Sequence, residues 1–185
     1  MDDSLLIASC KKKNKNAQEQ IYKKYASKMM GVCVRYCNNR EVAQDLLHDG
    51  FIQAFTHIDS FSGKGSFEGW LRRIFVNLAI ENYRQEKKKM AIVTDIENID
   101  FDKEDEDGDE FLYLGELSHA MLLDLINELP TGYKTVFNLF VFEDMSHREI
   151  GQALGINESA SRSQYFRARQ FLLKRINVLL KKNIS

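Results

Sequence analysis

Ser146-His147-Arg148-Glu149-Ile150-Gly151-Gln152-Ala153-Leu154-Gly155-Ile156-Asn157-Glu158-Ser159-Ala160-Ser161-Arg162-Ser163-Gln164-Tyr165-Phe166-Arg167-Ala168-Arg169 is the segment that decides the fold. Ser146 and Glu149 have the spacing of a capping box, in which hydroxyl and carboxylate each satisfy the other's orphan backbone N–H. Ile150, Ala153 and Leu154 form the buried side of a short helix. Gly155 supplies the left-handed residue that ends it. Ile156 turns inward, and Asn157 caps a final helix running to about Lys181. Short helix, glycine turn and longer basic helix make a helix-turn-helix pattern. Small Ala153 and Gly155 at the crossing let the two helices approach. The last helix carries Ser159, Arg162, Ser163, Gln164, Phe166, Arg167 and Arg169. Arginine and glutamine make bidentate contacts with guanine and adenine in the major groove, so these residues point to duplex DNA.

Upstream of this segment, Leu117 to Leu129 reads as an amphipathic helix ending at Pro130. Tyr133, Val136, Phe137, Phe140 and Val141 mark another. Residues 116–185 thus form one small helical domain. Residues 1–90 form a second. There Ile21, Tyr25, Met29, Val32 and Tyr36 step by three or four, as do Ala43, Leu47, Phe51, Ala54 and Ile58. Leu71, Ile74, Phe75, Leu78 and Tyr83 continue the pattern in a third helix. Asn38-Asn39 fits a turn, and Ser60 to Ser66 a glycine-bearing loop. Three or four helices can bury these stripes in one bundle. One proline and ten glycines in 185 residues argue against an all-β fold. The fold class is all-α: two small helical domains joined by a linker.

Charge separates the same segments. Residues 1–90 carry a net +6, residues 91–130 a net -12 and residues 131–185 a net +5, although the whole chain is at -1. The cationic ends suit phosphate backbones. Residues 91–115 hold too little apolar surface to fold alone and read as an acidic linker.

The loop and third helix of the first domain mix residue types that hold single-stranded nucleic acid. Phe61, Phe67 and Trp70 are aromatics near Gly63, Lys64 and Gly65, and Arg72, Arg73, Asn77 and Arg84 follow. Aromatics stack on bases, arginines neutralise phosphates and amides bond base edges. A bland alternative makes the aromatics core and the cations a solvated face. Asp45, His48, Asp49 and Gln53 line one polar face of the second helix, either solvated or an acidic docking surface for a protein.

Cys33 and Cys37 stand one turn apart without a second ligand pair, so they read as core, not zinc ligands. Gly63-x-Gly65 lacks the third glycine and preceding strand of a phosphate-binding loop. No catalytic constellation, metal set or cofactor site is apparent, and enzyme is the least supported class. Three cysteines, a Met1-Asp2-Asp3 start and no apolar run near the roughly 20 residues of a membrane span suit a cytoplasmic protein with no membrane insertion.

Four motifs together resemble the sigma-70 family of RNA polymerase sigma factors, specifically its small extracytoplasmic-function (ECF) group. They are Gln44 to Phe51, Phe61 to Ile74 with Asn77, Leu129-Pro130 with Tyr133, Val136 and Phe137, and Ser146 to Arg169. The acidic linker is the main unmatched part. The resemblance implies that Asp45, His48, Asp49 and Gln53 dock on core RNA polymerase. It implies that Phe61, Lys64, Phe67, Trp70, Arg73 and Asn77 recognise and melt the -10 element, trapping a flipped base of the non-template strand. Ser159, Arg162, Ser163, Gln164, Phe166 and Arg167 would then read the -35 element as duplex. It also implies an anti-sigma factor as a partner, and a linker passing near the polymerase active centre. His48, Ser161 and Gln164 depart from the commonest family pattern. The rival readings are a stand-alone helix-turn-helix regulator and a protein-interaction adaptor.

Overall fold

The computed structural model describes residues 3–93 and 118–183. The linker expected at 91–115 lies almost wholly outside them. Every regular element among the described residues is helical: α1 (Asp3–Lys11), α2 (Lys15–Tyr36), α3 (Arg40–Thr56), a 3-10 turn (Ile58–Ser60), α4 (Phe67–Val93), α5 (His119–Asn127), α6 (Thr131–Val141), α7 (His147–Leu154) and α8 (Glu158–Asn183).

In the first bundle α2, α3 and α4 pack pairwise. Their apolar stripes are the ones the spacing predicts: Ile21, Met29, Ala43, Ala54, Leu71 and Phe75 are essentially inaccessible. Asn14 and Asn39 start α2 and α3 by accepting from the amides of Ala17 and Val42 at 3.1 and 2.8 Å. Helices α3 and α4 come unusually close at Gly50, where a Cβ would lie 2.1 Å from the Phe75 ring. Only glycine leaves room for that ring.

Helix α1 was not singled out by the sequence. It is nine residues long, and buries Leu6, Ile7 and Cys10 against the bundle. Asp3 ties it to α2, accepting from Lys24 Nζ at 2.5 Å and Tyr25 Oη at 2.6 Å. Those two hydrogen bonds hold the Asp3 carboxyl below its usual range. At the other end Lys11 donates to the carbonyl of Phe61 at 2.8 Å, pinning the loop before α4.

In the second domain α5, α6 and α8 share a core of Leu125, Ile126, Leu129, Phe137, Ala168, Leu172 and Ile176. Cys10, Cys33 and Cys37 are all buried and unpaired, as core residues. Burial raises the Cys33 thiol to about 12 and that of Cys37 to about 11.

The two domains pack against each other, an arrangement the sequence left open. Val136, Leu139, Ile150 and Leu154 join the apolar cluster of the first bundle. Around them the contact is polar. Lys134, wholly inaccessible, donates to the Cys37 carbonyl at 3.0 Å and to Asn38 Oδ1 at 2.9 Å. Asn138 donates to the Arg35 carbonyl at 2.6 Å.

Candidate functional site

Three surfaces carry the residues singled out from the sequence. On α3, Asp45, His48, Asp49 and Gln53 are all exposed. The opposite side of α3 packs inward through Ala43, Leu46, Leu47, Gly50, Phe51 and Ala54, which fixes the helix rigidly. Two large apolar side chains, Val42 and Ile52, also stand on the exposed side, and Ile52 keeps 52% of its surface in solvent. An acidic rim around exposed apolar residues is what a protein partner with basic edges would cover.

The second surface is the loop of residues 61–66 and the start of α4. Here the structure divides the aromatic set. Phe61 and Phe67 are buried and Trp70 is half-buried. Their rings form one cluster, with centroids 5.2 Å apart for Phe61–Phe67, 5.6 Å for Phe61–Trp70 and 5.4 Å for Phe67–Trp70. Buried aromatics shape a loop and do not stack on bases from within a core. Lys64, Arg73 and Asn77 are exposed, and Arg73 and Asn77 stand one turn apart on α4. Gly63 and Gly65 both have positive φ, 79° and 86°, so the loop backbone takes a path other residues resist. Together with α1 the loop walls a cleft of about 580 Å³, lined by Asp3, Ile7, Lys11, Phe61, Gly63 and Glu68 among others. The contribution of α1 to this cleft was missed. Its only sequence signal was the apolar Leu6-Ile7-Cys10 spacing.

The third surface is the helix-turn-helix. The capping box at Ser146 is complete: the Glu149 amide donates to Ser146 Oγ at 3.3 Å and the Ser146 amide donates to Glu149 Oε2 at 2.8 Å. The Ser146 hydroxyl also donates to Glu149 Oε2 at 2.7 Å, and this bond, then that of the Ser146 amide, holds the Glu149 carboxyl below its usual range. Gly155 ends α7 with φ 66° and ψ 40°, and Asn157 caps α8 by accepting from the Ala160 amide at 2.6 Å. The close approach expected at Ala153 and Gly155 is made instead at Gly151. A Cβ there would lie 2.8 Å from the Ile156 carbonyl oxygen.

On α8, Ser159, Arg162, Ser163 and Phe166 are exposed, Phe166 by 44%. Arg162 pairs with Glu158 one turn earlier at 2.6 Å. Gln164 and Arg167 are only partly exposed. The Gln164 amide oxygen is buried near Gly132, and Arg167 lies 3.4 Å from Tyr133 Oη, so both lean toward α6.

Ser161 occupies a core position, fully buried. It is satisfied by the His147 ring, whose Nδ1 lies 3.0 Å from Ser161 Oγ. The ring also stacks on Phe140 with centroids 4.6 Å apart. Burial, and then the Arg162 guanidinium, lower the His147 pKa, while Glu158 opposes them. The hydroxyl thus replaces apolar packing with a polar bond between α7 and α8.

Among the described residues no group of three or more His, Cys, Asp or Glu could hold a metal. No helix there is long and apolar enough to cross a membrane.

Comparison with known proteins bears on the same segments. Residues 21–89 match the model for sigma-70 region 2, and residues 119–172 match that for sigma-70, region 4. The chain is 29% identical to the ECF RNA polymerase sigma-E factor of Haemophilus influenzae, over 97% of this chain and 98% of that protein. It is 28% identical to the RNA polymerase sigma-H factor of Pseudomonas aeruginosa, over 97% and 96%. Among solved structures, the sigma factor RpoE of Bartonella quintana, determined with the anti-sigma factor NepR, shares the fold at a TM-score of 0.50 and 20% identity. That match covers 86% of this chain and 96% of that one. Two helical modules of one family, in family order and over nearly the full length of curated relatives, place the chain in the sigma-70 family as an RNA polymerase sigma factor of the extracytoplasmic-function type, a factor that directs transcription initiation.

Proposed function

We propose that the three surfaces divide initiation among them. The exposed face of α3, through Asp45, His48, Asp49 and Gln53, docks on core polymerase. The loop and α4 take the melted non-template strand of the -10 element. Lys64 and Arg73 neutralise phosphates, Asn77 reads a base edge, and a flipped base enters the cleft beside α1. Phe61, Phe67 and Trp70 act by holding that cleft open. Helix α8 enters the major groove of the -35 element, with Ser159, Arg162, Ser163 and Phe166 at the DNA and Gln164 and Arg167 steering from the α6 side. The functional units are residues 1–90 and 116–185, with 91–115 as the connection.

The chain does this without chemistry of its own. Unstacking bases costs a few kcal/mol per step. A factor that binds the open strand better than the closed duplex shifts the population toward opening by its differential affinity. The cytoplasm, where polymerase and promoter reside, is the working compartment. An anti-sigma factor of the kind bound to the Bartonella protein is the expected antagonist.

The observation that carries this reading is the pairing of a rigid, glycine-bearing loop backed by buried aromatics with a fully capped helix-turn-helix in one chain. The test is transcription with purified core polymerase on a promoter library. Selective start sites that depend on the added chain are expected. Tight operator binding without polymerase, together with no chain-dependent transcript, would make it a stand-alone regulator.

A further inference from the structure

The loop from Phe61 to Ser66 is anchored at its two ends and loosely held between them. At its start the Phe61 amide donates to the Ile58 carbonyl at 3.1 Å, closing the 3-10 turn. At its finish Ser66 caps α4: its Oγ accepts from the Gly69 amide at 3.0 Å and its carbonyl from the Trp70 amide at 3.1 Å. Between these anchors the Lys64 amide reaches Ser62 Oγ at 3.4 Å, a long bond. Gly63 and Gly65, both at positive φ, belong to the residue type with the widest choice of backbone angles. The path of the loop therefore depends on the direction in which the chain leaves Phe61.

That direction is fixed from outside the loop. The Phe61 carbonyl accepts from Lys11 Nζ at 2.8 Å, across fifty positions of sequence. A carbonyl and the amide that follows it lie in one planar unit, so holding the Phe61 oxygen also orients the N–H of Ser62. The donor is charged, which makes such a bond roughly twice as strong as a neutral one.

Lys11 itself has a firm base. It is the last residue of α1, which buries Leu6, Ile7 and Cys10. Asp3, at the other end of that helix, accepts from Lys24 and Tyr25 of α2. The turn after Lys11 is closed as well, with the Lys13 amide on the Cys10 carbonyl at 2.8 Å and the Asn14 amide on that of Ser9 at 3.2 Å. Helix α1 is thus a strut, tied to α2 at one end and to the loop at the other. Its neighbours Lys12, Lys13 and Lys15 stand out in solvent, whereas Lys11 is half-buried and turned to the Phe61 carbonyl. Lys11, Phe61 and Gly63 line the same cleft.

We infer that Lys11 is a positioning residue for DNA: it holds the loop of residues 61–66 in the shape that takes the melted strand, and touches no nucleotide itself. The inference rests on the -10 reading above. It makes α1 part of the strand-reading unit.

The test uses the full chain with Lys11→Met, which removes the donor, and Lys11→Arg, which supplies another. Circular dichroism verifies that helicity is retained; should Lys11→Met lose it, Lys11→Gln, one bond shorter than the native side chain, takes its place. Trp70 is the one tryptophan of the chain, and its ring centroid lies 5.6 Å from that of Phe61, so its emission reports the anchoring of the loop without DNA. Lys11→Met is expected to shift that emission to the red and raise its quenching by acrylamide, and Lys11→Arg to restore both. The second readout is the affinity of each variant, with core polymerase, for a premelted form of a promoter selected from the library. A loop less often in the competent shape binds in proportion to that fraction, so a loss of roughly three- to tenfold is expected for Lys11→Met. Its salt dependence should stay that of the wild type. A slope of log affinity against log salt smaller by about 0.7 marks a lost phosphate contact and overturns the positioning role. Unchanged emission, or altered emission with unchanged strand affinity, overturns it too. If the wild type yields no chain-dependent promoter at all, the initiation reading fails instead, and Trp70 emission alone judges whether Lys11 holds the loop.

Discussion

Residues 61–70 keep their shape chiefly by apolar contact, whereas residues 146–161 add a dense set of hydrogen bonds to their apolar packing. In the first, three aromatic rings within 5.2 to 5.6 Å of one another fill the space beneath a loop whose own backbone makes few bonds. In the second, a capping box, a left-handed glycine, an asparagine cap and the His147–Ser161 pair join two helices that also bury Ile150 and Leu154. The two regions thus differ in what stiffens them. The first should respond to changes of volume, the second to loss of a donor, an acceptor or a neutral ring.

Phe75→Ala offers the hardest blow to the first region. The ring is wholly buried, contacts Phe51 at 5.4 Å between centroids and fills the notch at Gly50. A loss of about 3–5 kcal/mol is expected in denaturant unfolding. A loss under 1 kcal/mol would mean that volume is not what stiffens this region. In the second region Gly155→Val forces a β-branched residue to φ 66°, at a cost of about 1–2 kcal/mol. Duplex binding should fall with it.

Smaller effects sharpen the contrast. Ser146→Ala removes the cap of α7 and is expected to cost about 1 kcal/mol. An equal substitution at Ser66, whose Oγ accepts from the Gly69 amide at 3.0 Å on an exposed loop, should cost less by the same measurement. The least of these effects is a pH dependence. Burial favours the neutral His147 ring, so as pH falls below about 6.5 the unfolded chain takes up a proton that the folded one resists. Stability is therefore present above that pH and lost as pH falls further. The shift in denaturation midpoint between pH 7.5 and 5.5 should shrink in His147→Gln, which removes the titrating ring and leaves every other ionisable group in place.

Legibility followed the range of the forces. Helices α2, α3 and α4 could be read because their stripes repeat every three or four residues, and the start of α7 because Ser146 and Glu149 are neighbours in sequence. Phe61 and Phe67 carry the right residue types, but only packing shows that they face inward. Gly151 was passed over in favour of Gly155, because its closeness to the Ile156 carbonyl comes from how the turn folds back on α7 and leaves no mark in residue spacing. Ser161 looked out of place until the ring that bonds it, fourteen residues away, was in view. The contact of Glu143 with Arg72 joins positions 71 residues apart, beyond any periodicity.

All three thiols of the chain lie inside it, and those of Cys33 and Cys37 are held protonated well above neutral pH. A cysteine placed on the solvent side of α8 would therefore outcompete them for a maleimide dye without any native residue being replaced. The unaltered interior makes the factor ready for single-molecule distance measurements from free chain to promoter complex.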